Sequence, residues 1–157
     1  DTDLLTGAGS RTAYFSDMYE LTETGAMAGI VYADVNGLKR ANDTLGHEAG
    51  DILIKEAYTL MNQYFNGALD KIYRIGGDEF VIISKGDDRN LFEKRYLAML
   101  RNNEERRVIS RGCAWINKNT DPETACKEAE KKMYCDKSRF YTTHPDQDRR
   151  KRVCKEA

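Results

Sequence analysis

Three common chemical signatures are scarce in this sequence: histidine clusters, paired cysteines and long apolar runs. His47 has no second histidine or nucleophile near it and His144 falls close to the end, so His47 is a poor candidate for a catalytic base. The cysteines show no Cys-x-x-Cys spacing, and we interpret all four as free thiols of a reducing cytosol: Cys113, Cys126, Cys135 and Cys154. No apolar run approaches the length of a membrane span.

The chain also lacks an excess of charge of either sign. Its formal net charge of -1 gives no sign of a nucleic-acid-binding or membrane-surface protein. The 157 residues suit one domain, which we place at residues 1–143. Residues 144–157 form a highly charged tail, which we interpret as a frayed terminus or outgoing linker; a basic interaction tail is the alternative. We expect the domain to be cytoplasmic.

Apolar periodicity predicts the order helix, strand, helix, hairpin, helix, strand, helix, which is a mixed α/β layout around one sheet. Gly25 is a plausible end of the first helix, and Asp121 with Pro122 is a typical helix start. The predicted helices cover residues 11–24, 48–65, 90–102 and 122–137. The predicted strands cover 27–35, 72–75, 80–83 and 108–116.

The central stretch is Gly76-Gly77-Asp78-Glu79, which lies between two short apolar runs. Two adjacent glycines let the backbone turn tightly, and flanking apolar runs are typical of a β-hairpin. Two acids at a hairpin tip place hard oxygen ligands where phosphates and Mg²⁺ could reach them. Taken alone, these four residues are more typical of an ordinary surface turn.

Asp34 ends a continuous apolar run, at the carboxyl end of a predicted central strand. If the hairpin lies beside that strand, Asp34, Asp78 and Glu79 meet at one edge of the sheet. Acids crowded in this way repel one another unless a cation neutralises them. Mg²⁺ suits such a site because it takes a few carboxylates and fills its other positions with phosphate oxygens and water.

The loop after Asp34 adds features that suit phosphate. Gly37 permits close approach of a ligand to the backbone, Lys39 supplies a positive charge, and backbone N–H groups in such a turn can form an anion-binding nest. The polar segment at residues 42–51 is typical of the entry to a helix, with Asp43 or Asp51 stabilising the helix N-terminus.

These motifs resemble, in order and in spacing, the GGDEF family of diguanylate cyclases. The matching residues are Asp34 to Lys39, Asn42-Asp43, Gly46-His47, Gly50-Asp51 and Arg74 to Phe80. Further matches flank them: Asp3 to Gly7 with Arg11, Val108 to Gly112, and Ala129 to Tyr134 with Lys137. The resemblance covers the chain from about Asp3 to Tyr141.

The resemblance implies a palm-like nucleotidyl-cyclase fold, with a mostly antiparallel sheet of about five strands flanked by helices and a catalytic β-hairpin. It implies an enzyme that condenses two GTP molecules into cyclic di-GMP and releases two pyrophosphates. Two Mg²⁺ ions, with Mn²⁺ as a substitute, would bind Asp34, Asp78 and the Val35 carbonyl, with Glu79 as a neighbouring catalytic acid. The implied GTP-binding residues are Lys39 and Lys137 for the terminal phosphates, Asn36, Gly37 and Leu38 for the middle phosphate, and Asn42 and Asp51 for guanine.

The resemblance also implies a homodimer, because each domain holds one GTP and the second GTP must come from a second GGDEF domain. We further expect an upstream sensor domain in the full-length protein. Two alternatives are a catalytically silent GTP-binding regulatory module and a cyclic di-GMP receptor. The silent module is disfavoured because both acids of the central turn are present.

The chain departs from the family pattern at several positions. Ala8 and Ser10 replace a leucine and an asparagine of the opening motif, and the usual Lys-x-x-Gly-Arg is absent after Lys137, where Arg139 could substitute. Many members carry an inhibitory Arg-x-x-Asp before the hairpin. Here Gly67 replaces the arginine while Asp70 is retained, so no cation offsets the charge of the product phosphates and we expect no inhibitory site.

Overall fold

The computed structural model describes residues 1–147, in which four strands form one antiparallel sheet of order β2-β3-β1-β4. The strands are β1 (Ala28–Val35), β2 (Asp70–Arg74), β3 (Glu79–Lys85) and β4 (Ile109–Ile116). β2 and β3 make the predicted hairpin, and β1 lies between β3 and β4. The mixed α/β class, the antiparallel sheet and the hairpin are therefore confirmed.

Five α-helices surround this sheet, and a short 3₁₀ turn at Pro145–Gln147 follows the last of them. Ser10 caps the first helix by accepting a hydrogen bond from the Ala13 N–H, and Asp121 caps the last by accepting from the Thr124 N–H. Gly25 ends the first helix in the left-handed conformation, as predicted. The helices are α1 (Arg11–Thr24), α2 (Leu38–Leu45), α3 (His47–Tyr64), α4 (Arg89–Arg106) and α5 (Pro122–Thr143).

Strand β1 is buried along its whole length because helices cover both faces of the sheet. Its alternate side chains enter two separate clusters. Ile30 and Tyr32 pack with residues of α1 and α5, whereas Val31, Ala33 and Val35 pack with residues of α3 and α4. The continuous apolar run in the sequence is the direct consequence of this double coverage.

The sheet has four strands within residues 1–147, so the implied count of about five is wrong. The sequence contains four apolar strand patterns, and the opening segment contributes only isolated bridges, from Thr2 to Gly9 and from Gly9 to Tyr73.

Two helical expectations also need correction. The polar segment after the first strand forms α2, a complete short helix, and α3 begins at His47 with Gly46 as its N-cap. Asp51 therefore lies inside α3 and is not its cap. Helices α4 and α5 run to Arg106 and Thr143, beyond the predicted ends at residues 102 and 137. The added turn of α4 is polar and carries no apolar signal, whereas that of α5 places Phe140 in the core.

The prediction that all four cysteines are free thiols is wrong at Cys135, which is disulfide-bonded. Cys113 and Cys126 are free, and Cys154 lies outside the described residues, as does most of the predicted charged tail. The spacing argument failed because a disulfide depends on proximity in space and not on separation in the sequence. Within residues 1–147, no helix is both long enough and apolar enough to span a membrane.

Candidate active site

Asp34 and Lys137 form a buried ion pair at the carboxyl end of β1. The Lys137 Nζ donates to the Asp34 Oδ1 at 2.5 Å, and the side chains are 4% and 0% exposed, respectively. The same ammonium lies 3.5 Å from the Val35 carbonyl oxygen. Two of the three groups implied as metal ligands therefore already face one cation.

The fold places these two side chains together from opposite directions. Asp34 continues the row of β1 side chains that faces α1 and α5, after Ile30 and Tyr32. Lys137 extends the α5 stripe that contains Ala129 and Met133 and packs on the same sheet face. A lysine at a core-facing position of α5 thus meets the aspartate that ends the central strand.

The hairpin tip is fixed beside the end of β1 by main-chain and arginine contacts. The Val35 N–H donates to the Asp78 carbonyl at 2.8 Å. The Arg74 guanidinium donates to the Gly77 carbonyl at 2.8 Å and to the Asp3 carboxylate at 3.1 Å. Burial alone would raise the pKa of Asp3, but hydrogen bonds from Thr6 and the charge of Arg74 lower it, so Asp3 remains an anionic partner for Arg74.

Glu79 lies directly opposite Asp34 in the β1–β3 register, on the face of the sheet that packs against α5. Burial and then the negative charge of Glu79 raise the pKa of the nearby Tyr32 hydroxyl, which therefore stays protonated. No three acidic, histidine or cysteine side chains of residues 1–147 gather into a metal-binding group. Asp34 and Glu79 do lie opposite each other, and the Lys137 ammonium is paired with Asp34, so a metal site built from Asp34, Asp78 and Glu79 stays a prediction.

The loop after Asp34 is held in place by the side chain of Asn36. Its Nδ2 donates to the Arg107 carbonyl at 2.8 Å, and its Oδ1 accepts from the Ser110 hydroxyl at 2.7 Å. Gly37 adopts φ +71° at the start of α2, a conformation that few side chains tolerate. The Gln147 side chain lies beside it, since a Cβ on Gly37 would fall 2.5 Å from the Gln147 Oε1.

The residues implied for phosphate and guanine lie on α2 and α3. Leu38 is half-buried and Lys39 is exposed in the first turn of α2. Asn42 packs against α3, with its Oδ1 only 1.8 Å from where a Cβ on Gly50 would stand. Asp51 follows Gly50 and is exposed. Asn42 and Asp51 thus lie on neighbouring turns of a helical pair, near the loop that contains Gly37.

Asp70 forms an ion pair with Arg95, an arginine that lies outside the sequence motif. The Arg95 guanidinium donates to both its carboxylate oxygens at 2.7 and 3.0 Å, and the Asp70 side chain is only 2% exposed. The Ser84 hydroxyl and the Gly67 N–H also donate to it. Both oxygens of Asp70 are thus engaged within the fold.

Sequence reasoning missed three residues that build this region: Arg95, Arg107 and Ser110. Arg107 and Ser110 are more than seventy positions from Asn36, and Arg95 is 25 positions from Asp70. No local motif carries these contacts, because they depend on how α4 and β4 pack on the sheet. Lys137 was identified by resemblance, but its contact with Asp34 was not.

The ion pair predicts a strong coupling in the free energy of unfolding. Lys137→Met leaves a buried carboxylate without its partner, and Asp34→Asn leaves a buried ammonium, so each should cost about 3–5 kcal/mol. The double variant should lose clearly less than the sum, because neither uncompensated charge remains. Urea unfolding of the four proteins gives this coupling. Lys127→Met, at an exposed lysine of the same helix, should change stability by less than about 1 kcal/mol. Additive losses in the double variant would contradict the pair.

Comparison with protein families gives one match over nearly the whole chain. Residues 1–140 match the family described as "Diguanylate cyclase, GGDEF domain". The chain is 32% identical over 90 residues to diguanylate cyclase DgcS of Shewanella oneidensis, covering 54% of this chain and 30% of that protein. It is 26% identical over 139 residues to diguanylate cyclase DosC of Escherichia coli, covering 82% of this chain and 30% of that protein. The chain thus spans under a third of either relative.

Solved structures show the same fold. The GGDEF domain of DgcB from Caulobacter crescentus, in complex with c-di-GMP, aligns with a TM-score of 0.74 at 21% identity and covers 87% of this chain and 90% of that one. The FimX GGDEF domain from Pseudomonas aeruginosa aligns with a TM-score of 0.74 at 18% identity and covers 85% of this chain and 91% of that one. The palm-like fold expected from the sequence is thereby confirmed, and the chain belongs to the diguanylate cyclase GGDEF-domain family.

Proposed function

We propose that this chain is an active diguanylate cyclase domain that condenses two GTP molecules into cyclic di-GMP. The observation that supports it most is the meeting of Asp34, Glu79 and the Asp78 backbone at one sheet edge, beside the loop that starts α2. Both acids of the central turn are intact, and no substitution removes an implied catalytic carboxylate. The names of the curated relatives agree with this reaction.

The oxygen donors at this edge fit a hard divalent cation. Asp34 and Asp78 would supply carboxylates and Val35 a carbonyl to two Mg²⁺ ions, with Mn²⁺ as a substitute. The fit is supported by Lys137, because Asp34 and the Val35 carbonyl already share its ammonium. Bound there, the ions would stabilise negative charge on the attacking and leaving oxygens.

The chain's own residues would position the substrate. Lys39 would hold the terminal phosphate, and the backbone of residues 36–38 would surround the middle one. Lys137 would leave Asp34 and move to the terminal phosphate, so that one cation exchanges a carboxylate for a phosphate. Glu79 would accept the proton of the 3′-hydroxyl of one GTP. The 3′-oxygen would then bond to the α-phosphorus of the other GTP as pyrophosphate departs. Arg139 is exposed two residues beyond Lys137 and remains a candidate second phosphate contact.

Turnover would require two such domains. One chain has one set of these residues, whereas each product molecule needs two bonds between two nucleotides. Two domains facing each other around a two-fold axis would supply both half-sites. We propose a homodimer, held in the cytoplasm and governed by an upstream sensor domain of a longer protein.

Two other functions remain as alternatives. A silent regulatory module would bind GTP without turning it over, and a receptor would bind cyclic di-GMP alone. Incubation with GTP and Mg²⁺, followed by detection of cyclic dinucleotide and pyrophosphate, separates these from the cyclase. Only the cyclase makes both products.

Asp78→Asn keeps the shape of the hairpin tip but removes one negative charge from the cation site, so product formation should fall at least a hundredfold while the melting temperature is retained. Asp87→Asn, at a loop acid after the hairpin, is the matched control and should turn over GTP like the parent. Parent-like turnover by Asp78→Asn would exclude the role assigned to Asp78.

The specific activity of the parent should rise with protein concentration and with fusion to a dimerising segment, because two domains must meet for turnover. A specific activity that stays flat across a dilution series, with the protein confirmed as a monomer, would exclude the two-domain mechanism.

The exposed carboxylate of Asp51 should select guanine. Guanine offers N1–H and its exocyclic amine as adjacent donors, whereas adenine offers a bare N1 acceptor that would face the carboxylate lone pairs. The parent should therefore use GTP and largely refuse ATP. Asp51→Ser should narrow the ratio of the two kcat/KM values, whereas Asp43→Ser, at another exposed acid nearby, should leave it unchanged. Equal use of ATP by the parent would contradict this assignment.

We also propose that the inhibitory site is absent. Gly67 supplies no guanidinium, and Asp70 would have to break its bonds to Arg95 and Ser84 before it could bind guanine. Calorimetric titration of cyclic di-GMP into the Asp78→Asn variant should show no submicromolar binding. Submicromolar binding that is lost in Asp70→Asn, while a melting curve shows that variant folded, would establish an inhibitory site after all.

A further inference from the structure

A cavity lined by residues of α4 and β4 and by Arg107 lies at the C-terminal end of α4. Its volume is about 420 Å³, and it contains none of the residues assigned to GTP. Three arginines line it, together with two leucines and one exposed carboxylate: Arg101, Arg107, Arg111, Leu97, Leu100 and Glu104. We refer to it as the arginine cavity.

Two of the arginines are held in place by a buried acid behind them. The Asp136 Oδ1 accepts from Arg107 at 3.2 Å and from Arg111 at 3.1 Å, and its Oδ2 accepts from the Arg111 backbone N–H. The Asp136 side chain is only 6% exposed. Each guanidinium has five N–H donors and gives few of them to Asp136. The buried Arg111 Nε has no hydrogen-bond acceptor among the residues that the structure describes.

The charges of this region favour an anion. Three guanidiniums face one lining carboxylate, Glu104, and the one buried behind them, Asp136. Arginine forks match phosphate oxygens in pairs and form strong charge-assisted hydrogen bonds with them. Leu97 and Leu100 add an apolar wall, and the volume falls within the range of about 300–1,000 Å³ that is typical of small-molecule sites.

The backbone at Arg107 connects the arginine cavity to the proposed active site. Arg107 has φ +50° and is the single non-glycine residue with positive φ in the described range. It is the left-handed C-cap that ends α4, and its N–H donates to the Asn103 carbonyl. Its carbonyl accepts from the Asn36 Nδ2 in the loop that starts α2. Movement of Arg107 toward a ligand would therefore pull on that loop.

We propose that the arginine cavity binds a small phosphate-bearing anion, up to the size of a mononucleotide, and that binding is transmitted through Arg107 to Asn36. The binding itself does not depend on the proposed cyclase activity. The transmission gives a bound anion a route to alter GTP affinity, and linkage requires the effect to be reciprocal.

Titration of the ¹⁵N-labelled chain with inorganic phosphate, and separately with AMP, tests this by NMR. AMP is chosen because the proposed guanine site disfavours adenine. Saturable shifts are expected at the amides of residues 104–111, and at Asn36 with the same dissociation constant and the same weakening in Arg101→Gln, whereas a phosphate bound directly at the loop of residues 36–38 would shift Asn36 independently of Arg101. Arg101→Gln should weaken binding several-fold, and Glu104→Gln should tighten it because it removes the one carboxylate that lines the cavity. Arg89→Gln, at the far end of the same helix, is the charge-matched control and should leave the affinity unchanged.

Tighter binding of AMP than of phosphate supports a mononucleotide, and equal binding supports the phosphate group as the whole determinant. The absence of saturable shifts at residues 104–111 with either probe overturns the site, as do shifts there that ignore Arg101→Gln and Glu104→Gln. Shifts at the cavity without a shift at Asn36 overturn the transmission. Because no step requires turnover, failure here is distinguishable from failure of the proposed function.

Discussion

The buried ion pair between Asp34 and Lys137 is the interaction on which the candidate site depends. It joins the end of the central strand to α5, which covers one face of the sheet. Taking two charges out of water is costly, and a buried pair stabilises a fold weakly, if at all, relative to apolar side chains. A buried pair at this position is therefore better explained by binding than by stability. A carboxylate such as Asp34 suits a metal ion, and an ammonium such as Lys137 suits a phosphate.

The same pair reduces the repulsion between the acids at the end of β1. With Asp34 neutralised by an ammonium, Asp34 and Glu79 can lie opposite each other on adjacent strands without a metal. In the proposed reaction the substrate would bring both a divalent cation and phosphate oxygens. Each would take one partner of the pair, so Lys137 would be released to the phosphate as the metal binds Asp34. The site would thus be assembled in full only when metal and nucleotide are both present.

The sequence predicted the structural features that depend on residues close together in the chain. The β1 run, the Asp121 cap, the Gly25 helix end and the glycine hairpin all depend on neighbours within a few positions, and they stand in the structure as expected. The contacts that complete the site depend on packing between distant segments. Lys137 on Asp34, Arg107 and Ser110 on Asn36, and Arg95 on Asp70 join residues that no periodicity relates. Helix α2 was missed because its eight residues span only about two turns, so that Leu38, Ala41 and Leu45 are too few to establish a helical period.

In the proposed reaction, Lys137 holds the cation position beside Asp34 until substrate arrives. A crystal structure of this chain with a non-hydrolysable GTP analogue and Mg²⁺ tests it most directly. We expect the Lys137 Nζ to leave the Asp34 Oδ1 for a phosphate oxygen, while Asp34 and the Val35 carbonyl bind the metal. A structure with the nucleotide bound, the metal on other residues and Lys137 still paired with Asp34 would contradict it.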